Sequence, residues 1–179
     1  MITETLKATP RHHYKHILAT TALLLAAALV FVSWYKVHYS MGPAKTFEVN
    51  APTSEDKILI ATQGSEFKDA VVQGVVSQMK NRGAYVKVID VSDLPNIDEA
   101  GWSAIVLISS WEMRRPEPNV KTFVDKSHAG RKMIVMNTSG RGDFKMEGVD
   151  AISGASVMVD VPGRVATITN RIEAVLGRK

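Results

Sequence analysis

Residues Lys57 to Lys68 read KILIATQGSEFK. Lys57–Ala61 places Ile58, Leu59 and Ile60 in succession, apolar on both faces, which is the pattern of a strand covered on two sides. The run stops at a hydroxyl- and Gly-containing loop, Thr62 to Glu66. From Ser65 to Arg82 the period changes to four: Phe67, Val71, Val75 and Met79 share one helix face, and Gly83 is placed to end the helix. Strand, polar loop and helix start make the junction at which open α/β domains hold anions, because the first N–H groups of a helix are unpaired.

The same alternation continues downstream. Strands are expected at Tyr85–Val91, Ala104–Ser109 and Lys132–Asn137, all rich in Ile and Val. A short helix is expected over Asn119–His128 with Val120, Phe123 and Val124 inward, and a last helix from Pro162 through Val165, Ile168, Ile172 and Val175. Proline suits that first turn, where its missing N–H has no partner to lose. Ser92–Ser103 is long enough for little more than one helical turn. Ser139–Val149 is lean for a full crossover, so the expectation is four parallel strands and a short fifth around Asp150–Ile152.

Upstream, Ile17–Tyr35, ILATTALLLAAALVFVSWY, carries no charge and has the length needed to cross a hydrocarbon core of ~30 Å. Thr20, Thr21 and Ser33 interrupt it only with hydroxyls that can bond back to the helix. Tyr14, Trp34, Tyr35 and Tyr39 read as interfacial aromatics. The rival reading is a cleaved secretory leader, but the one small-residue triplet, Ala26–Ala28, lies inside the run, which favours an uncleaved anchor. Lys7, Arg11 and Lys15 outweigh Lys36 and Lys45, so the N-terminus is expected in the cytoplasm and the globular domain outside it. The organisation expected is an N-terminal tail (1–16), a transmembrane helix (17–35), a linker (36–56) and one α/β domain (57–179).

Composition narrows the function classes. The 179 residues hold 22 Lys and Arg against 18 Asp and Glu, a net charge of +4, spread along the chain rather than gathered into the dense cationic stripe that nucleic acid requires. No nucleic-acid partner is expected. The absence of cysteine removes disulfides, thiolate metal sites and thiol nucleophiles. Asp90, Asp93, Glu112 and Asp143 come from separate loops with no metal-ligand spacing. His128, the one histidine of the domain, falls at the far end of a helix, away from the loops that follow the strands, so a Ser-His-Asp hydrolase is not expected. A phosphoacceptor domain would need acids at Thr62-Gln63 and Ser109-Ser110. No catalytic residues are assigned.

The strand at Lys57, the loop TQGSEF, the helix after it and the further βα units resemble a flavodoxin-like domain of reduced size, from Lys57 to the C-terminus. That resemblance implies a parallel sheet of strand order 2-1-3-4-5, with FMN at the carboxyl ends of the first and third strands. The surrounding loops would be Thr62–Glu66, Ser109–Pro116 and Asn137–Phe144. Flavodoxins wrap the phosphate with a T-x-T-G-N-T pattern. Here Thr62, Gly64 and Ser65 match as cofactor-binding residues, while Glu66 stands where the anion would sit. Ser65 as a helix cap and Glu66 as a complement to the helix dipole form the alternative reading of the same residues. Arg114 and Arg115 would add positive charge, and Trp111 and Phe144 supply one aromatic from each flanking loop to stack on a ring. Asp150-Ala-Ile-Ser153-Gly154-Ala155-Ser156 resembles the D-x-x-[ST]-G-A-[TS] acceptor of flavin transferases, which implies Ser156 as an attachment point. The alternative there is a tight turn held by Asp150 and Ser153.

Two functions follow as expectations. The departure at Glu66 favours a membrane-anchored accessory subunit of a membrane protein complex, without a tightly bound dissociable cofactor. The alternative is an FMN-dependent electron carrier at the membrane, its flavin bound non-covalently or attached at Ser156.

Overall fold

In the computed structural model of the protein, residues 11–39, 41–128, 130–146 and 148–177 are described. The chain divides into two units at residues 40 and 41. Residues 1–10, and with them Lys7 and most of the expected tail, lie outside the described residues, as do the side chains of Arg11, Tyr35 and Tyr39.

The first unit is helix α1 (Arg11–Tyr39). Within it Tyr14–Trp34, 21 residues, is long and apolar enough to cross a membrane. Its large side chains are exposed all round, as at Leu23, Leu24, Leu29 and Val30. A helix apolar on every side needs an apolar surrounding. The Thr20 and Thr21 hydroxyls donate to the carbonyls of His16 and Ile17 at 2.8 Å each, so neither hydroxyl is left unpaired.

The second unit is a sheet with helices on both faces. Its elements are β1 (Gly42–Pro43), β2 (Phe47–Val49), β3 (Lys57–Gly64), α2 (Glu66–Asn81), β4 (Tyr85–Asp90), β5 (Ala104–Ser110), α3 (Pro118–Lys126), β6 (Met133–Thr138), β7 (Ala151–Gly154) and α4 (Val161–Val175). Short 3-10 turns at Val91–Asn96 and Glu99–Gly101 occupy the lean connection before β5. The path across the sheet is β2-β4-β3-β5-β6-β7. All pairs from β4 to β7 are parallel, which is the expected 2-1-3-4-5 order, and β7 is the short fifth strand.

Both faces of β3 and β5 are covered, which explains their unbroken apolar runs. On one face Ile58, Ile60, Val106 and Ile108 pack with Val71 and Val75 of α2 and Val165 and Ile168 of α4. On the other, Leu59, Ala61 and Leu107 pack with Val120 of α3 and Leu94. Ser65 caps α2 by accepting from the Lys68 N–H at 3.3 Å. Gly83 follows its C-cap at φ 78°, a conformation that costs glycine little.

Two expectations need correction. The segment expected as a linker, 36–56, carries β1 and β2: β2 adds to the sheet edge antiparallel to β4, and β1 pairs antiparallel with the end of β3. Moreover β3 does not stop at Ala61 but runs through Gly64, because Gly42 and Pro43 lie opposite Gly64 and Gln63 and extend the ladder. The loop expected over Thr62–Glu66 shrinks to the single capping residue Ser65.

Candidate functional site

In a parallel sheet the loops after the strands gather at one edge, and here that edge holds Thr62, Gly64, Ser65, Trp111 and Ser156. Thr62 and Gly64 close β3, and Ser65, Trp111 and Ser156 follow β3, β5 and β7. Thr62 is 1 % exposed, and its hydroxyl donates to the Gln63 carbonyl at 3.1 Å. Gly64 has no room beside it: a Cβ there would lie 2.5 Å from the Pro43 carbonyl oxygen. Ser65 is occupied as the cap, and Glu66, exposed, opens the first turn of α2, where a carboxylate complements the helix dipole. Thus the residues matched to a phosphate loop are engaged with their own backbone and with β1.

Under this junction lies a buried polar cluster. Lys68 is 0 % exposed, and its Nζ donates to Ser110 Oγ at 2.7 Å and to Met41 Sδ at 3.1 Å. Ser110 Oγ also hydrogen-bonds Thr138 Oγ1 at 2.9 Å, and the Ser110 N–H donates to Gln63 Oε1 at 2.7 Å. Among the described residues no carboxylate forms an ion pair with Lys68. Burial therefore dominates and pushes its ammonium down to about 8, although Glu112 and Asp69 pull the other way. β1 is held from the opposite side too, since the Ala44 N–H donates to Asp90 Oδ2 at 2.6 Å. Burial raises the Asp90 carboxyl, but the Ser92 hydroxyl and the Ala44 and Ser92 N–H groups together hold it below the usual range.

The ring end of the edge differs. Trp111 and Phe144 lie nearly parallel, 12° apart with centroids at 5.1 Å, and the Arg114 guanidinium stands 5.9 Å from the Phe144 ring centre. Ser109, Asn137 and Ser153 stand in register across β5, β6 and β7. Ser109 Oγ donates to Asn137 Oδ1 at 3.1 Å. Trp111 Nε1, Asn137 Nδ2 and Ser153 Oγ are buried without a protein partner among the described residues. Ser156 follows β7 and is exposed. The Asp150 carbonyl accepts from Arg171 at 2.7 Å, and its carboxylate pairs with the same arginine at 3.2 Å. Asp150 is therefore turned toward α4. His128 lies at the opposite edge, its N–H donating to Glu99 Oε1 at 2.9 Å.

Measured against FMN, the two ends behave differently. The phosphate end does not fit the group: the backbone beside Gly64 is covered, Ser65 is spent on its cap, and the adjacent side chain is Glu66. At the ring end Trp111 and Phe144 stack on each other at 5.1 Å, which leaves no gap for a third ring between them, and the unpaired donors of Trp111 and Asn137 are buried, so a planar group would have to lie on the outer face of the pair.

Sequence reading missed Lys68, Gln63, Ser110 and Thr138 as a cluster, and β1 as its cover. A signal for Lys68 existed: Lys68, Val72 and Val76 form a second row at spacing four beside Phe67, Val71 and Val75, and all six are buried.

The sheet order, the flanking helices and the position of the edge define a flavodoxin-like α/β fold. The flavodiiron core Flv1 from Synechocystis has this fold at TM-score 0.51 and 13% identity, the match covering 68% of this chain and 36% of that one. A flavodoxin from the Archaea matches at TM-score 0.48 and 15% identity over 67% of this chain and 99% of its own. Flavodoxin 2 from Bacillus cereus matches at 0.48 and 12% over 66% and 98%. At these identities the likeness is one of fold. No protein-family model matches the sequence, and no curated protein matches it.

Proposed function

We propose that the protein is a membrane-anchored accessory subunit whose flavodoxin-like domain serves as a scaffold within a membrane protein complex and holds no tightly bound dissociable flavin. The observation that carries this reading is the pairing of Gly42 and Pro43 with Gly64 and Gln63. The chain's own strand lies along the backbone that a phosphate loop would present. Lys68, in the first turn of α2, is turned into the cluster with Ser110 and Met41. An apolar helix of membrane-crossing length supports the anchor, and the sequence's charge bias supports a cytoplasmic N-terminus with the domain on the other side.

The test is the visible spectrum of the protein purified from its native membrane, recorded before and after acid precipitation. The expected result is no flavin absorbance, with membrane proteins co-purifying. Flavin released into the supernatant would overturn the reading.

A second reading is favoured by the meeting of Trp111 and Phe144, one aromatic from each loop flanking the edge: an FMN-dependent electron carrier. Were FMN bound, Trp111 would cover its ring, and the group would supply one- or two-electron redox chemistry. Attachment at the exposed Ser156 would hold the flavin without a phosphate loop. In the same experiment, flavin retained on the precipitated pellet, and lost in Ser156→Ala, supports that form.

A further inference from the structure

Outside α1, the exposed large apolar side chains of the described residues are four: Met113 at 84 %, Val159 at 81 %, Met158 at 46 % and Val157 at 45 %. All four lie in loops after parallel strands, β5 for Met113 and β7 for the others, so they share one edge of the sheet. Scattered exposed hydrophobics need no explanation, but confinement to a single edge does.

Met113 is held out by a built turn. The Glu112 and Arg115 backbones exchange two hydrogen bonds, at 3.0 and 2.9 Å, and the two residues between them, Met113 and Arg114, have φ of 48° and 63°. A two-residue turn of this kind is the usual place for Asn-Gly. Keeping Met and Arg there stores backbone strain, and strain at an exposed tip points to a use for the tip.

The chain itself indicates what that surface meets. β1 is fixed to this same edge by its pairing with Gly64 and by the Lys68 and Asp90 bonds to Met41 and Ala44. α1 ends at Tyr39, so one residue separates it from Met41, and two residue steps reach at most about 7 Å. In chain order, six residues after the apolar span ends at Trp34, the domain is entered at the edge that carries the four exposed apolar side chains of its described residues.

We propose that the Met113 turn and the Val157–Val159 loop form a lipid-docking surface that enters the headgroup region of the bilayer carrying α1. This rests on reading Tyr14–Trp34 as a membrane span. Cations and carboxylates alternate at this edge, as in Glu112 beside Arg114 and Arg141 paired with Asp143 at 3.5 Å. The contact is apolar and is made with zwitterionic lipid, as amphipathic surfaces make it. The docked edge sets the carboxyl ends of the strands toward the membrane.

The absence of cysteine permits a clean test on the full chain. Met113→Cys, Val159→Cys, Ala27→Cys and Lys126→Cys are each labelled with an environment-sensitive fluorophore in phosphatidylcholine nanodiscs holding one copy. Lys126 ends α3 at the opposite edge. Labels at 113 and 159 are expected to be blue-shifted, severalfold less accessible to aqueous iodide than the label at 126, and quenched by headgroup nitroxide lipids. Shielding at 27 with open accessibility at 113 and 159 overturns the docking while leaving the anchor intact. Accessibility at 27 overturns the anchor and the docking with it. Shielding at 113 and 159 found only in discs holding two copies assigns the surface to a second copy and overturns the lipid assignment.

Discussion

Replacing Lys68 with methionine is expected to stabilise the domain. An ammonium held at about 8 instead of 10.5 is disfavoured in the folded state, and at ~1.4 kcal/mol per pKa unit the penalty is roughly 3 kcal/mol. Lys68→Met removes that penalty and keeps the apolar stem, while losing the charge-assisted hydrogen bond to Ser110, worth about 1.5–3 kcal/mol. Ser110 keeps Thr138 as a partner. The variant should therefore gain about 0–1.5 kcal/mol at neutral pH. The sign of the pH dependence follows. Below the folded value both states are charged and the wild type bears the whole penalty. Between about 8 and 10.5 the folded state has lost its proton and the unfolded state retains it, so wild-type stability climbs with pH. Above that window the penalty is gone. Urea unfolding of the full chain in detergent, followed by Trp102 and Trp111 fluorescence between neutral pH and the upper end of that window, reads both effects. A variant less stable than wild type at neutral pH, or a wild type whose stability does not rise through the window, would refute the placement of Lys68 as a buried, unpaired cation.

Three further outcomes are expected. Gly64→Ala brings a Cβ within 2.5 Å of the Pro43 carbonyl and should cost about 1–3 kcal/mol, whereas Gly101→Ala, with open space around it, should stay within about 0.5 kcal/mol; urea midpoints compare the two. Asp90→Asn weakens the acceptor for the Ala44 N–H and should cost about 1–2 kcal/mol at neutral pH. Because the Asp90 carboxyl is depressed in the folded protein, its contribution is present above the unfolded value and lost as pH falls through the folded one, so the variant's acid titration should be flatter, with faster hydrogen exchange at Ala44. Glu117→Ala removes the side chain that accepts from the Val120 N–H at 2.6 Å and should cost about 1 kcal/mol by loss of the α3 cap, measured by thermal unfolding.

The parallel sheet was legible because strands buried on both faces write their burial as unbroken runs, ILIA in β3 and AIVLI in β5, and α2 and α4 write theirs as a period of four. β1 and β2 were not legible: two and three residues beside a proline carry no period, and their pairing depends on edges that exist only once β3 and β4 are assembled. The length of β3 was misread for the same reason, since Thr62, Gln63 and Gly64 look like a loop until β1 lies along them. The candidate site was legible by position and not by chemistry. Trp111 and Phe144 follow the third and fourth parallel strands and do meet, and the Ser65 cap was legible as the alternative reading of its loop, whereas the bond of Thr62 to the Gln63 carbonyl and the cover of β1 over Gly64 needed the fold. Lys68 was hidden because a charged residue in an otherwise amphipathic helix is normally solvated, and only the row it shares with Val72 and Val76 betrays its direction.

The central claim, that β1 covers the place where a flavodoxin-like domain presents its phosphate loop, is tested most directly by calorimetric titration of the full-length protein with FMN. No saturable binding is expected up to about 1 mM, and none for inorganic phosphate. Saturable FMN binding in the micromolar range would contradict that coverage.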